Sequence, residues 1–132
     1  VRAATLLEVF VPGKPIARPS ARMWKRRKDL YEWSRTVAWT VRACMVGKPL
    51  VDEPVALWLT FYTQHAADLS NLVKTVEDAM TKVFYTDDRH VKEIHAWIEN
   101  GAREGVAIVA CRREEERRPG SLMAGERLGK LR

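Results

Sequence analysis

The segment between Leu69 and Val83 constrains the fold of this chain more than any other. Its apolar residues Leu69, Leu72, Val73, Val76, Met80 and Val83 recur at helical spacing and make one stripe. The other side shows Ser70, Lys74, Asp78 and Thr81, which look away from any core. A helix with one dry face must bury that face against another layer, and its neighbours supply one. Residues 55–63, VALWLTFYT, read as a mostly apolar, central strand.

The rest of the chain fills in around that pair. Residues 5–11, TLLEVFV, are β-rich and stopped by Pro12-Gly13, which predicts a first strand. Residues 14–28 carry Pro15, Pro19 and many charges, so an exposed loop or irregular ribbon is expected. From about Tyr31 to Val46, Trp33, Val37, Val41 and Cys44 recur at helical spacing, and Gly47 and Pro49 end that helix. Asp87-Asp88 reads as a turn. Residues 90–98 and 105–112, with VAIVACR the clearest part, then read as a strand pair joined near Asn100-Gly101. From Arg113 the composition changes, through EEERRPGSLMAGERLGKLR, to a stretch with little to bury. One domain over residues 1–112 and a charged, flexible or partly helical tail over 113–132 are the expectation. The order strand, helix, strand, helix, strand, strand implies a single small α+β, or mixed α/β, domain around one sheet. Strand order is not legible in such a pattern.

Composition narrows the class of function. With 132 residues, 46% hydrophobic and 30% charged, the chain is an ordinary globule with a core of its own. No apolar run approaches the roughly 20 residues of a membrane helix, and Glu8 interrupts what would be a secretory signal. A cytoplasmic protein without membrane partners is expected. Cys44 and Cys111 form no CxxC pair, and neither they nor His65, His90 and His95 show zinc spacing, so buried free thiols are expected. The net charge of +6 makes polyanions natural partners, and its distribution is more informative. Lys14, Arg18, Arg22, Lys25, Arg26, Arg27 and Lys28 follow one another with no acid among them and with Trp24 in their midst. Asp68, Glu77, Asp78, Asp87 and Asp88 collect further on. Cutting a phosphodiester asks for this pairing: a basic surface to hold phosphates, and carboxylates to hold a cation that activates one of them.

Each of these residues also has a plain reading. Asp68 or Ser70 suits a helix N-cap, an Asp-Asp turn is commonly just solvated, and Lys74 suits an ion pair with Asp78 four residues on. Trp24 can stack on an unpaired base or pack on the body, while Trp33, Trp39, Trp58 and Trp97 suit a core or a dimer interface.

The segment DLSNLVKTVEDAMTKVFYTDDRHV, residues 68–91, resembles the signature of the RusA family of Holliday junction resolvases. There an Asp-x-Asp-Asn-x-x-Lys motif leads a helix and an Asp-Asp pair follows. The basic loop after the first strand agrees with that layout, and the resemblance covers roughly residues 5–112. It implies a RusA-like fold, one mixed sheet packed against two helices. It also implies an endodeoxyribonuclease that uses Mg²⁺, with Mn²⁺ as a substitute, and leaves 5′-phosphate and 3′-hydroxyl ends. Asp68, Lys74 and Asp88 match the catalytic residues. Asp68, Asp87 and Asp88 match the metal site, to which Ser70 would contribute through water. Ser70 is the departure, since the family commonly places a second aspartate there. The DNA-contacting set would be Lys14, Arg18, Arg22, Trp24, Lys25, Arg26, Arg27, Lys28, Asn71 and Lys74. The resemblance further implies a homodimer on four-way junctions, of phage or prophage origin, working in a bacterial or phage-infected cell. The rival readings are a catalytically weakened protein that binds branched DNA, a nuclease for forks or flaps, and a general nucleic-acid-binding domain.

Overall fold

Alternation along each strand sorts its side chains onto two faces of one sheet. In a computed structural model, which describes residues 4–17, 27–65 and 67–113, the strands are β1 (Thr5–Pro12), β2 (Val55–Tyr62), β3 (Val91–Glu99) and β4 (Gly105–Arg112). They lie in the order β1-β4-β2-β3, with β4 antiparallel to both neighbours and β3 parallel to β2. The register sets Leu7, Ala110, Leu57 and Ile94 in one row, Val9, Ile108, Leu59 and Ala96 in the next, and Val11, Val106, Phe61 and Ile98 in a third. Two helices, α1 (Arg27–Cys44) and α2 (Leu69–Met80), pack on each other and over these rows, α1 toward β1 and α2 toward β3, leaving Ile94 and Ile98 at the β3 end exposed. Trp33, Val37 and Val41 from α1 and Leu72, Val76 and Met80 from α2 are buried against the sheet. Each such side chain contributes about 1.5–3 kcal/mol. The architecture is the expected small α+β domain, one mixed sheet and two helices.

Three expectations need correction. Strands 90–98 and 105–112 are not paired: β2 lies between β3 and β4. The reason is in their faces. β4 is apolar almost throughout and suits a place between two strands, whereas β3 carries Lys92, Glu93, His95 and Glu99 and suits an edge. The link between them crosses the end of β2 at Gly101, where a Cβ would stand 2.8 Å from the Tyr62 ring. The first helix also starts earlier than Tyr31, at Arg27, because Arg and Lys are good helix formers and Asp29 suits its first turn. Charge density made that stretch look like loop. Pro15 and Ile16, also expected in an exposed loop, are buried.

Of the tryptophans, Trp33 is core and Trp39 stands 63% exposed on α1. Both cysteines are free, Cys111 buried and Cys44 half-buried. Arg113, the first residue of the expected tail, is tied down through its N–H to the Pro54 carbonyl (3.0 Å) and its Nε to Glu93 (3.0 Å). Residues 114–132 lie outside the described residues. No described helix is long and apolar enough to cross a membrane.

Candidate active site

α2 is the crossover that joins the parallel strands β2 and β3, so its polar face carries the residues on which the functional reading depends. Asp68 is its N-cap, with extended backbone, and its carboxylate accepts from the Asn71 N–H (3.4 Å) and the Asn71 side-chain amide (3.0 Å). The capping reading of Asp68 is therefore correct as far as it goes. One turn on, the Lys74 ammonium lies 3.7 Å from an Asp78 oxygen and 3.7 Å from an Asp88 oxygen. Asp68, Asn71, Lys74 and Asp78, at steps of three or four residues, thus form one row, with Asp88 docked beside its middle.

Asp88 reaches that position because the chain after α2 turns back under the helix. Lys82 takes the left-handed conformation (φ 69°), Phe84 and Tyr85 are fully buried, and the Tyr85 hydroxyl donates to the Glu77 carbonyl (3.0 Å). Backbone bonds from Val51 N to the Phe84 carbonyl (2.8 Å) and from Thr86 N to the Val51 carbonyl (3.0 Å) clamp the segment against the chain before β2. A short 3-10 turn, Asp88–His90, follows. Asp87 caps it, its carboxylate accepting from the Arg89 N–H (2.8 Å), and that bond lowers the Asp87 pKa. Asp52 braces the turn from outside by accepting from the Thr86 hydroxyl (3.0 Å), with His90 Nε2 at 2.9 Å. Glu77, half-buried near this cluster, has its pKa raised by burial; Lys74 opposes the shift, while Asp88 and Asp78 add to it.

The expected residues therefore fall into groups. Asp68 joins Asn71, and Lys74 joins Asp88. Asp87 serves its own turn, and Ser70 is exposed on the first turn of α2. Lys14 is exposed just after Gly13, whose N–H donates to the Glu104 carbonyl, and Lys28 is exposed on α1. Arg18, Arg22, Trp24, Lys25, Arg26 and the Arg27 side chain lie outside the described residues. His65 is held by Thr63 and Glu104 at the exit of β2. The part of Asp78 was signalled only by its spacing from Lys74. The Tyr85 anchor had no signal, because a bond to a carbonyl eight residues back follows no helix or strand spacing, and the Asp52–Thr86–His90 brace had none, because Asp52 is distant in sequence from both its partners.

A resident metal can be tested against the donors present. Among the described residues no three His, Cys, Asp or Glu side chains are grouped to hold an ion. A dehydrated, all-protein cage therefore does not fit. A Mg²⁺ ion that keeps most of its waters, taking one or two carboxylates and a substrate phosphate, asks for less. Asp88, already facing a cation in Lys74, and Asp68 upstream are compatible with that smaller demand.

A search of curated proteins returned no match. A family model described as Endodeoxyribonuclease RusA matches residues 12–109, a span from the end of β1 through both helices and into β4. With its acid-and-lysine row on α2 inside that match, the chain belongs to the RusA family of endodeoxyribonucleases.

Proposed function

We propose that this protein is a Mg²⁺-dependent, structure-selective endonuclease that resolves Holliday junctions, working as a homodimer. The observation that carries the reading is the Lys74 ammonium shared between Asp78 and Asp88, in line with Asp68 and Asn71. A phosphate oxygen arriving at Lys74 exchanges with one of those carboxylates. The contact strengthens as negative charge builds on the phosphate in the transition state. Asn71 keeps Asp68 oriented at the head of the row, and Asp78 keeps the ammonium extended along α2. A Mg²⁺ ion, held by Asp68 and Asp88, would polarise the phosphate and lower the pKa of an attacking water. Mn²⁺ would substitute. A dimer suits a four-way junction, whose approximate two-fold symmetry asks for paired cuts.

The test is cleavage of a labelled four-way junction, with and without Mg²⁺, by wild type, Asp68→Asn, Asp88→Asn and Ser70→Asp. Loss of cutting in the two Asn variants, with activity kept or gained in Ser70→Asp, is expected. Full activity in Asp68→Asn or Asp88→Asn overturns the assignment. A second reading, a catalytically weakened protein that binds branched DNA, is favoured by Ser70 and by the absence of a three-ligand group among the described residues. Binding without cutting by wild type in Mg²⁺ would establish it. Competition between four-way, forked and flapped DNA separates junction resolution from the other branched substrates.

A further inference from the structure

The outward face of α1 carries a feature that the cutting site does not use. Lys28, Tyr31, Arg35, Trp39 and Arg42 are spaced by three, four, four and three residues, which sets them within roughly a quarter-turn of one another. All five are exposed, Tyr31 at 61% and Trp39 at 63%, while the other side of the same helix buries Trp33, Val37 and Val41. The Arg35 guanidinium already lies over the Tyr31 ring, 5.6 Å from its centroid. A shallow groove lined by Glu32, Arg35, Thr36, Trp39 and Thr40 runs alongside. Glu32 is the one acid in it, and the two threonine hydroxyls are turned into the helix, bonded to the Glu32 and Thr36 carbonyls.

We propose that this stripe is a second DNA-contacting surface, which holds an unpaired stretch of strand at the branch point next to the strand being cut. The inference rests on the endonuclease reading and adds a partner surface to it. Three features of the stripe favour DNA as its occupant. Lys28, Arg35 and Arg42 stand roughly 10 Å apart along the helix, a ladder of positive charge that complements a phosphate backbone. Between them stand two aromatic faces, and paired duplex offers no free base to stack on them; unpaired bases do. The stripe also continues from the basic run that ends at Lys28, and because α1 and α2 lie together on one face of the sheet, it shares the outer side of the helical layer with Lys74. A second copy of the chain is the poorer occupant, since a two-fold contact centred on Arg35 sets that cation against its own copy and Lys28 against Arg42.

The experiment measures binding in EDTA, where cutting is suppressed, of a junction with unpaired nucleotides at its centre and of linear duplex. It compares wild type, Trp39→Ala, Trp39→Phe, Arg35→Gln/Arg42→Gln and Asp88→Asn over a series of salt concentrations. Trp39→Ala is expected to weaken junction binding roughly 5- to 150-fold and to leave duplex binding unchanged, while Trp39→Phe retains most of the affinity. Arg35→Gln/Arg42→Gln is expected to lower the slope of log affinity against log salt by about 1.4, the value for two phosphate contacts to a single strand. Wild-type junction affinity in Trp39→Ala, at every salt concentration, overturns the proposal. So does loss of a sedimenting dimer in Trp39→Ala with affinity per protomer unchanged, which would give the stripe to a second copy. Asp88→Asn separates the two readings: with one carboxylate fewer competing for Lys74 it should bind the junction in EDTA at least as tightly as wild type, and fail to cut in Mg²⁺. If it cuts, the site reading fails while the stripe stands; if only the stripe variants bind normally, the stripe fails while the site stands.

Discussion

Replacing Lys74 with Met removes an ammonium and keeps most of its apolar stem, so it isolates the charge at the centre of the row. The two ion pairs it breaks, each 3.7 Å long, join side chains that are 38–47% exposed. At that exposure water screens them, and each contributes roughly 0.2–1 kcal/mol. Their joint loss, roughly 0.4–2 kcal/mol, lowers the melting temperature by about 2–8 °C, taking about 4 °C per kcal/mol for a domain of this size. Against a total stability on the order of 5–15 kcal/mol, the variant stays essentially fully folded at 25 °C. If Lys74 instead stabilises charge on the scissile phosphate, the loss on the chemical step is about 2.7–4 kcal/mol, or 10²–10³ in rate. The two effects differ enough to be read separately. Single-turnover cleavage of a saturating junction, beside a thermal melt in the same buffer, should show a rate at least a hundredfold down with a melting point only slightly lower. A rate within about threefold of wild type, with the melt lowered as above, would return Lys74 to the role of a surface ion pair and refute the argument.

Tyr85→Phe should cost about 0.5–1.5 kcal/mol in urea unfolding with an unchanged m value, because the hydroxyl is lost. The low end is favoured, since the Glu77 carbonyl also accepts from the Thr81 hydroxyl at 3.0 Å; a loss above about 3 kcal/mol would show that Tyr85 does more than brace the turn. Glu77→Gln should raise the melting point at pH 7 and leave it unchanged near pH 3. Burial raises the folded-state pKa of Glu77 above its unfolded value, so wild type loses stability as pH climbs from the unfolded value through the folded one, and the amide is spared that loss. Equal shifts at both pH values would contradict the sign. Gly101→Ala places a Cβ 2.8 Å from the Tyr62 Cδ1 and 3.1 Å from its Cβ, and overpacking of that kind should cost roughly 1–3 kcal/mol by chemical denaturation; no measurable loss would mean that Tyr62 and the crossing loop yield freely.

Periodicity exposed a good deal of this protein. The stripe from Leu69 to Met80 became α2, and VALWLTFY became a central strand. The polar face read from that stripe held Ser70, Lys74, Asp78 and Thr81; Lys74 and Asp78 do meet there, because side-chain spacing on a helix is a local property, and the structure adds Asp68 and Asn71 to their row. The start of α1 was misjudged for the opposite reason: a run of Arg and Lys suggests solvent, yet both residues favour helix and nothing nearby forbids it.

Sequence alone thus determined the elements, their wet and dry faces, and the acid-and-lysine face of one helix. Only tertiary structure decided that β4 enters between β1 and β2, and that Asp88 docks against Lys74. Both depend on contacts that follow no local repeat: ladder hydrogen bonds that any backbone can make, the Tyr85 bond back to Glu77, and the Asp52 brace that reaches Thr86 from before β2. Such contacts follow from how the apolar rows share a single core, and helix or strand spacing does not signal them.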